Sequence, residues 1–229
     1  TTFINSFLTP LSDVIIESGG TIDKYMGDAI LAFWNAPLDQ ADHAQRACGA
    51  AHEIIARIPN LNLTWRREAE AAGRVFEDVR IGIGVNSGEC CVGNLGSERR
   101  FDYSAIGDAV NIASRLEGLS KIYGLALLVS EDTRRRLTDA TLLEAGLVRL
   151  KGRKGATRVF TALPSDAMPP SEHTAFLEAF QQARFAEAAA LLTQLEANTP
   201  SSLHQLYHHY RERLEAAQAA PPAERRSFR

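Results

Sequence analysis

Two stretches of this sequence carry side chains whose types and spacing suit phosphate chemistry. The first is Gly19-Gly20-Thr21-Ile22-Asp23-Lys24-Tyr25-Met26-Gly27-Asp28-Ala29-Ile30-Leu31-Ala32-Phe33-Trp34. It reads as two short strands folded back at Gly27-Asp28, where glycine gives backbone freedom and Asp tolerates the turn by bonding nearby amides. The turn lifts Asp28 to the edge of a sheet, with the Lys24 ammonium nearby on the first arm. A carboxylate so placed suits Mg²⁺, a hard cation that takes one or two carboxylates plus substrate phosphates. An Asp in such a turn also serves simply to cap it. The second stretch is Phe101-Asp102-Tyr103-Ser104-Ala105-Ile106-Gly107-Asp108-Ala109-Val110-Asn111-Ile112-Ala113-Ser114-Arg115-Leu116-Glu117. Asn111 and Arg115 are four apart and share a helix face. An amide beside a guanidinium fork suits sugar hydroxyls and phosphate oxygens, although such a pair is also an ordinary solvated face. A basic turn, Lys151-Gly152-Arg153-Lys154-Gly155, either holds phosphate or faces solvent.

The elements that must position these groups follow from hydrophobic period. Residues 3 to 18 are apolar at Phe3, Ile4, Phe7, Leu8, Leu11, Val14 and Ile15, a helical spacing that Gly19-Gly20 ends. On the first arm Ile22, Lys24 and Met26 alternate with Thr21, Asp23 and Tyr25, and the unbroken apolar second arm is expected to be covered on both faces. A second helix carries Ala44, Ala47, Cys48, Ala51, Ile55 and Ile58 on one face, and Pro59 is expected to stop it. Residues 60 to 78 read as a surface excursion. Val79, Ile81, Ile83 and Val85 alternate with Gly82 and Gly84, whose bare face lets another element approach closely. Residues 89 to 94 read as the return strand of that hairpin, and 96 to 100 as a charged loop. Asp108 is the expected N-cap of a helix ending at Gly124, with Val110, Ala113, Leu116, Leu119 and Ile122 as its buried stripe. A short strand at 125 to 130, a short helix at 131 to 137, and a strand pair around the basic turn complete this part.

A chain of 229 residues with 45% hydrophobic and 23% charged residues holds one sizeable core and an appendage. A net charge of −3 makes no general electrostatic case for nucleic acid or an anionic membrane surface. The three cysteines form no CxxC pair, which suits a reducing cytosol, and all three read as small apolar packing groups. No apolar run approaches the roughly 20 residues that span a bilayer. Pro164-Ser165-Asp166-Ala167-Met168-Pro169-Pro170-Ser171 reads as a linker, followed by alanine-rich helices at about 172 to 184, 186 to 197 and 201 to 219. These look like one tetratricopeptide-type hairpin, too short for an independent repeat domain. His208-His209 reads as a solvated helix face.

The two stretches above, together with Arg80-Ile81-Gly82-Ile83-Gly84-Val85-Asn86-Ser87-Gly88-Glu89 and Val148-Arg149-Leu150-Lys151-Gly152, resemble the class III nucleotidyl cyclase catalytic domain, most of all its bacterial adenylate cyclases. The likeness covers residues 1 to 163, leaving a linker at 164 to 171 and a helical extension with a polar tail at 172 to 229. The resemblance implies an α+β fold with a ferredoxin-like βαββαβ core and a C-terminal α-helical extension. It implies conversion of ATP to cyclic AMP and pyrophosphate, with Mg²⁺ or Mn²⁺, two ions per site, at a homodimer interface. By the same likeness Asp28 binds metal, Lys24 and Ser104 read the purine, Asn111 orients the ribose, Arg115 stabilises the transition state and Lys151 binds phosphate. Lysine at position 24 goes with adenine, whereas guanylate enzymes carry Glu; Ser104 departs from the usual Asp or Thr. The family's first metal aspartate lies on a strand upstream of the first helix here. The expectation is therefore an active, longer parent protein whose catalytic part is cytoplasmic, behind an upstream sensor or membrane region, and a fragment open to being inert by itself. Two alternatives stay open, a non-catalytic cyclase-homology module that dimerises for regulation and a guanylate cyclase.

Overall fold

The computed structural model describes residues 2–97, 99–138, 142–150, 155–163, 171–198 and 200–220. Helix α1 (Thr2–Glu17) buries Phe7, Leu11, Val14 and Ile15 and runs through Pro10. It ends where Gly19, at φ +81°, takes the left-handed conformation that glycine enters without a Cβ clash. Strands β1 (Thr21–Met26) and β2 (Ala29–Phe33) then pair antiparallel across the Gly27-Asp28 turn, as the sequence predicts. The arm expected to be covered on both faces is only half-buried, because β1 and β2 form a separate two-stranded sheet with one face on α1.

Helix α2 (His43–Ala71) passes straight through Pro59, the expected stop. A proline inside a helix costs about 3 kcal/mol. Here Ile54, Ile58 and Trp65 continue one buried stripe against α1. Beyond the proline, Asn62 exchanges two hydrogen bonds with the Val79 backbone, at 3.0 and 2.9 Å. The expected excursion at 60 to 78 is therefore largely helix.

Strand β3 (Ile83–Val85) lies parallel to β6 (Leu127–Ser130), which pairs with β8 (Thr157–Ala162) and through it β7 (Leu142–Val148), giving the order β3-β6-β8-β7. The expected return strand does not pair with β3. It becomes β4 (Cys91–Ser97), which pairs antiparallel with β5 (Arg100–Ile106), so Gly96, Ser97 and Arg100 of the expected charged loop lie in strands. Between them in sequence and β6 lies α3 (Asp108–Tyr123), which crosses over β3. The glycine face of β3 makes this possible, since a Cβ at Gly84 would stand 2.1 Å from the Ala113 carbonyl oxygen.

Two details of α3 differ from expectation. Its cap is Gly107, and Asp108 makes no capping bond but sits in the first turn, where its charge favours the helix dipole. Its buried residues are Ile112, Leu116, Ser120 and Tyr123, with Ile122 exposed, because α3 packs against β3 on one side and a C-terminal helix on the other. Gly124 ends it in the left-handed conformation, as predicted. The short helix α4 (Glu131–Arg134) is capped by the Ser130 hydroxyl.

The C-terminal helices are α5 (His173–Gln181), α6 (Phe185–Asn198) and, after one 3₁₀ turn, α7 (His204–Ala219). They are not a separate unit: Phe176, Leu192, Leu206 and Tyr210 share one buried cluster with Leu116 and Tyr123 of α3, Leu143 and Ala145 of β7, and Val159 of β8. His209 is not simply solvated, its ring lying 5.2 Å from that of Tyr123. The class is α+β with a helical C-terminal extension. Residues 164–170 of the linker lie outside the described residues. Among the described residues, no helix is long and apolar enough to cross a membrane. Cys48 is packed as expected, and burial pushes its thiol up to about 11. Cys90 and Cys91 are exposed, against the expectation that all three pack.

Candidate active site

The site is built around a residue that sequence reasoning missed. In β1 the register slips between Ile22, opposite Ala32, and Lys24, opposite Leu31, so Asp23 is the extra residue of a bulge. Bulges re-aim side chains, and this one turns the carboxylate toward β5. The Ser104 hydroxyl donates to Asp23, lying 2.8 Å from Oδ1 and 2.7 Å from Oδ2. The Ala105 amide donates to Oδ2 at 2.8 Å, and the Lys24 ammonium sits 3.2 Å from Oδ1. Burial works against the charge on Asp23. The bonds from Ala105, Ser104 and Lys24, with the Lys24 charge, more than offset it and hold the carboxyl below its ordinary range.

Strand β5 leads through Gly107 into α3, so Ser104 and Ala105, which hold Asp23, lie close in sequence to the helix that carries Asn111 and Arg115. Asn111 is exposed one turn from the start of α3, and Arg115 is half-buried one turn further on. The Nη1 of Arg115 is buried and has no hydrogen-bond partner among the described residues. A charged donor left so is costly, and a ligand oxygen would satisfy it. The Asn86 amide, beyond the end of β3, donates to the Ala109 carbonyl at 2.9 Å and pins the first turn of α3, while its own Oδ1 is buried and has no partner among the described residues.

Asp28 is exposed in the β1–β2 turn, where Gly27 takes φ +67°. No hydrogen bond or ion pair among the described residues joins Asp28 to Lys24, Asn111 or Arg115. The structure thus brings Lys24 and Ser104 together through Asp23, sets Asn111 and Arg115 on one helix, and leaves Asp28 apart on its turn. Lys151 lies outside the described residues. Among the described residues there is no cluster of three or more His, Cys, Asp or Glu side chains that could hold a metal. A single carboxylate fits only a cation whose other ligands come from substrate phosphates, water or a partner chain.

Residues 2–162 match the family model of the adenylate and guanylate cyclase catalytic domain. The chain belongs to this cyclase family. Adenylate cyclase 1 of Rhizobium meliloti (strain 1021) is 33% identical over 158 residues, which are 69% of this chain and 23% of that protein. This cyclase chain thus spans about a quarter of the length of that relative. Among solved structures, the adenylyl cyclase CyaB from P. aeruginosa is 29% identical with a TM-score of 0.62, over 73% of this chain and 83% of that one. The guanylyl cyclase Cya2 is 31% identical with a TM-score of 0.60, over 71% and 80%. Solved structures named for either nucleotide, adenylyl and guanylyl cyclases alike, therefore share this fold.

The signal for Asp23 was present in sequence only as an acidic residue beside Lys24. Strict strand alternation would put the two on opposite faces, and the bulge that defeats the alternation has no sequence mark. Asn86 is likewise visible as a polar residue ending an apolar alternation, but its contact with α3 depends on the crossover.

Proposed function

We propose that this cyclase domain converts ATP to cyclic AMP and pyrophosphate at a site shared between two copies of the chain. The observation that carries the reading is the buried, unpartnered Nη1 of Arg115, one turn along α3 from Asn111. A guanidinium kept waiting in this way suits the charge that builds on phosphate oxygens in phosphoryl transfer, where positioning and charge neutralisation dominate catalysis. Asn111 would hold the ribose so that its 3′-hydroxyl lies in line with the α-phosphate. That oxygen then bonds to the α-phosphorus, the bond to the pyrophosphate oxygen breaks, and the hydroxyl proton leaves to solvent. Lys24 donates to the base, and Lys151 contributes charge to the phosphates. Asp28 would be the chain's ligand to Mg²⁺ or Mn²⁺, which when bound supplies charge neutralisation at the phosphates.

A homodimer is supported by the large apolar side chains left exposed on the two strands that carry the Asp23 anchor. Tyr25 and Met26 of β1 and Phe101 and Ile106 of β5 are each about half exposed or more. A second copy that covered part of this surface and brought the exposed Asp28 turn of one chain to α3 of the other would complete what one chain leaves apart. The guanylate reading has Cya2 in its favour, but an ammonium at position 24 donates where guanine N1 also donates.

The full-length protein, incubated with ATP or GTP and Mg²⁺ or Mn²⁺, is expected to release cyclic AMP and pyrophosphate in equal amounts and to turn over GTP more slowly. Asp28→Asn should remove turnover and leave the circular dichroism unchanged. Equal kcat/KM for ATP and GTP would contradict the base assignment. Full turnover in Asp28→Asn would contradict the metal assignment, and no cyclic product under any condition would favour the regulatory module.

A further inference from the structure

We propose that base selection here rests on Lys24 alone, with Asp23 and Ser104 as positioning residues behind it, so that the site reads purine N1 and ignores the 6-substituent. The proposal deepens the cyclase reading and rests on it. Its evidence is the order in which the three side chains meet solvent. The Lys24 side chain is 46% exposed, that of Asp23 is fully buried, and Ser104 is 2% exposed. Only Lys24 is open to a base.

Ser104 has one hydroxyl proton, and both oxygens of Asp23 lie within 2.8 Å to take it. The bond is charge-assisted, because the carboxylate is held ionised, and such bonds are about twice as strong as neutral ones. The Ser104 oxygen has therefore no proton to offer, and its burial keeps its lone pairs from a base. What Ser104 and the Ala105 amide do is fix Asp23, and what Asp23 does is fix the ammonium. Without that anchor Lys24 has a flexible four-carbon stem and three rotatable donors, a poor reader of one ring nitrogen. Anchored, it presents donors only. Adenine offers an acceptor at N1, whereas guanine and hypoxanthine present an N–H there and leave the ammonium facing another donor. Unsubstituted purine keeps the N1 acceptor and lacks any group at position 6, so it separates the two ways of reading the base.

The test is displacement of a ribose-labelled fluorescent ATP from the full-length protein by ATP, purine riboside triphosphate, ITP and GTP, with Mg²⁺ present. Purine riboside triphosphate is expected to bind within about twofold of ATP, and ITP and GTP each about tenfold weaker or more, the scale of an unpaired charged donor. Asp23→Asn should bring ATP and GTP to within about twofold of each other. Ser104→Ala should leave the ratio of purine riboside triphosphate to ATP unchanged. The proposal is overturned if the wild-type protein binds ATP at least tenfold more tightly than purine riboside triphosphate and Ser104→Ala erases that difference. It is overturned equally if Asp23→Asn keeps full selectivity. These outcomes are distinct from failure of the underlying reading, in which Lys24→Ala leaves the order of the four nucleotides unchanged or none of them displaces the probe. The wild-type nucleotide series needs no substitution, so the proposal stays testable even if Asp23→Asn fails to fold.

Discussion

The Tyr210 hydroxyl of α7 donates a 2.9 Å hydrogen bond to the Ala145 carbonyl of β7. Both residues are buried, and the bond closes the seam between the C-terminal helices and the sheet that holds β7 and β8. Beside it, a Cβ at Gly146 would stand 2.0 Å from the same hydroxyl oxygen, so the close approach depends on glycine. Tyr210→Phe keeps the ring and leaves a buried carbonyl unpaired, at a cost of about 1–3 kcal/mol. Urea unfolding should show a lower midpoint at unchanged slope; an unchanged midpoint would mean that the extension contributes little to the shared core.

The second clamp on the same seam is pH-dependent. A carbonyl only accepts, so His173 Nε2 donates to Glu144 O at 2.7 Å, and the neutral ring's Nδ1 then accepts from the Tyr207 hydroxyl at 2.7 Å. Burial lowers the imidazole below its ordinary 6.5, opposed in part by the bond to Glu144. The folded chain therefore binds this proton less readily than the unfolded chain. Its contribution is fully present above about pH 6.5 and is lost as the pH falls below that value. Unfolding free energy measured between about pH 7.5 and 5.5 should fall more steeply in the wild type than in His173→Gln. The variant's curve should lie lower at neutral pH, because both hydrogen bonds are disturbed, and be flatter. His209, also lowered, first by burial and then by Arg213, leaves a residual slope in both.

Gly84→Ala tests the crossover that positions Asn111 and Arg115. Its Cβ would stand 2.1 Å from the Ala113 carbonyl oxygen and 2.5 Å from the Glu117 amide nitrogen, backbone atoms that cannot swing aside. Overpacking of this kind costs about 1–3 kcal/mol. The variant should lose that much stability and bind nucleotide more weakly as α3 is pushed off β3. Wild-type values for both would mean that the helix is not seated on the glycine face.

The parts of this architecture written in local chemistry were legible in sequence. Gly27-Asp28 marks the hairpin, Gly124 the end of α3, and the four-residue spacing of Asn111 and Arg115 their common helix face. The glycine alternation at 82 and 84 foretold a close approach, though not by which element. What could not be read depends on distant partners. Pro59 breaks the local pattern for a helix, and α2 survives it because Trp65 and Asn62 find their partners in α1 and at Val79. Asp108 is a good cap by type, yet Gly107 takes that position. Asp23 is the largest omission from the site, since its role comes from a bulge and from two residues more than 80 positions away.

A mixing experiment tests the proposed composite site most directly. Asp28→Asn and Arg115→Ala, each expected to be inactive alone in the full-length protein, should form mixed dimers in which one site carries both defects and the other neither. Random pairing of equal amounts makes about half the dimers mixed, each with one intact site of two, so about a quarter of wild-type cyclase activity should return. A mixture as inactive as its two components, with subunit exchange verified by a tagged copy, would contradict a site built from the Asp28 turn of one chain and α3 of the other.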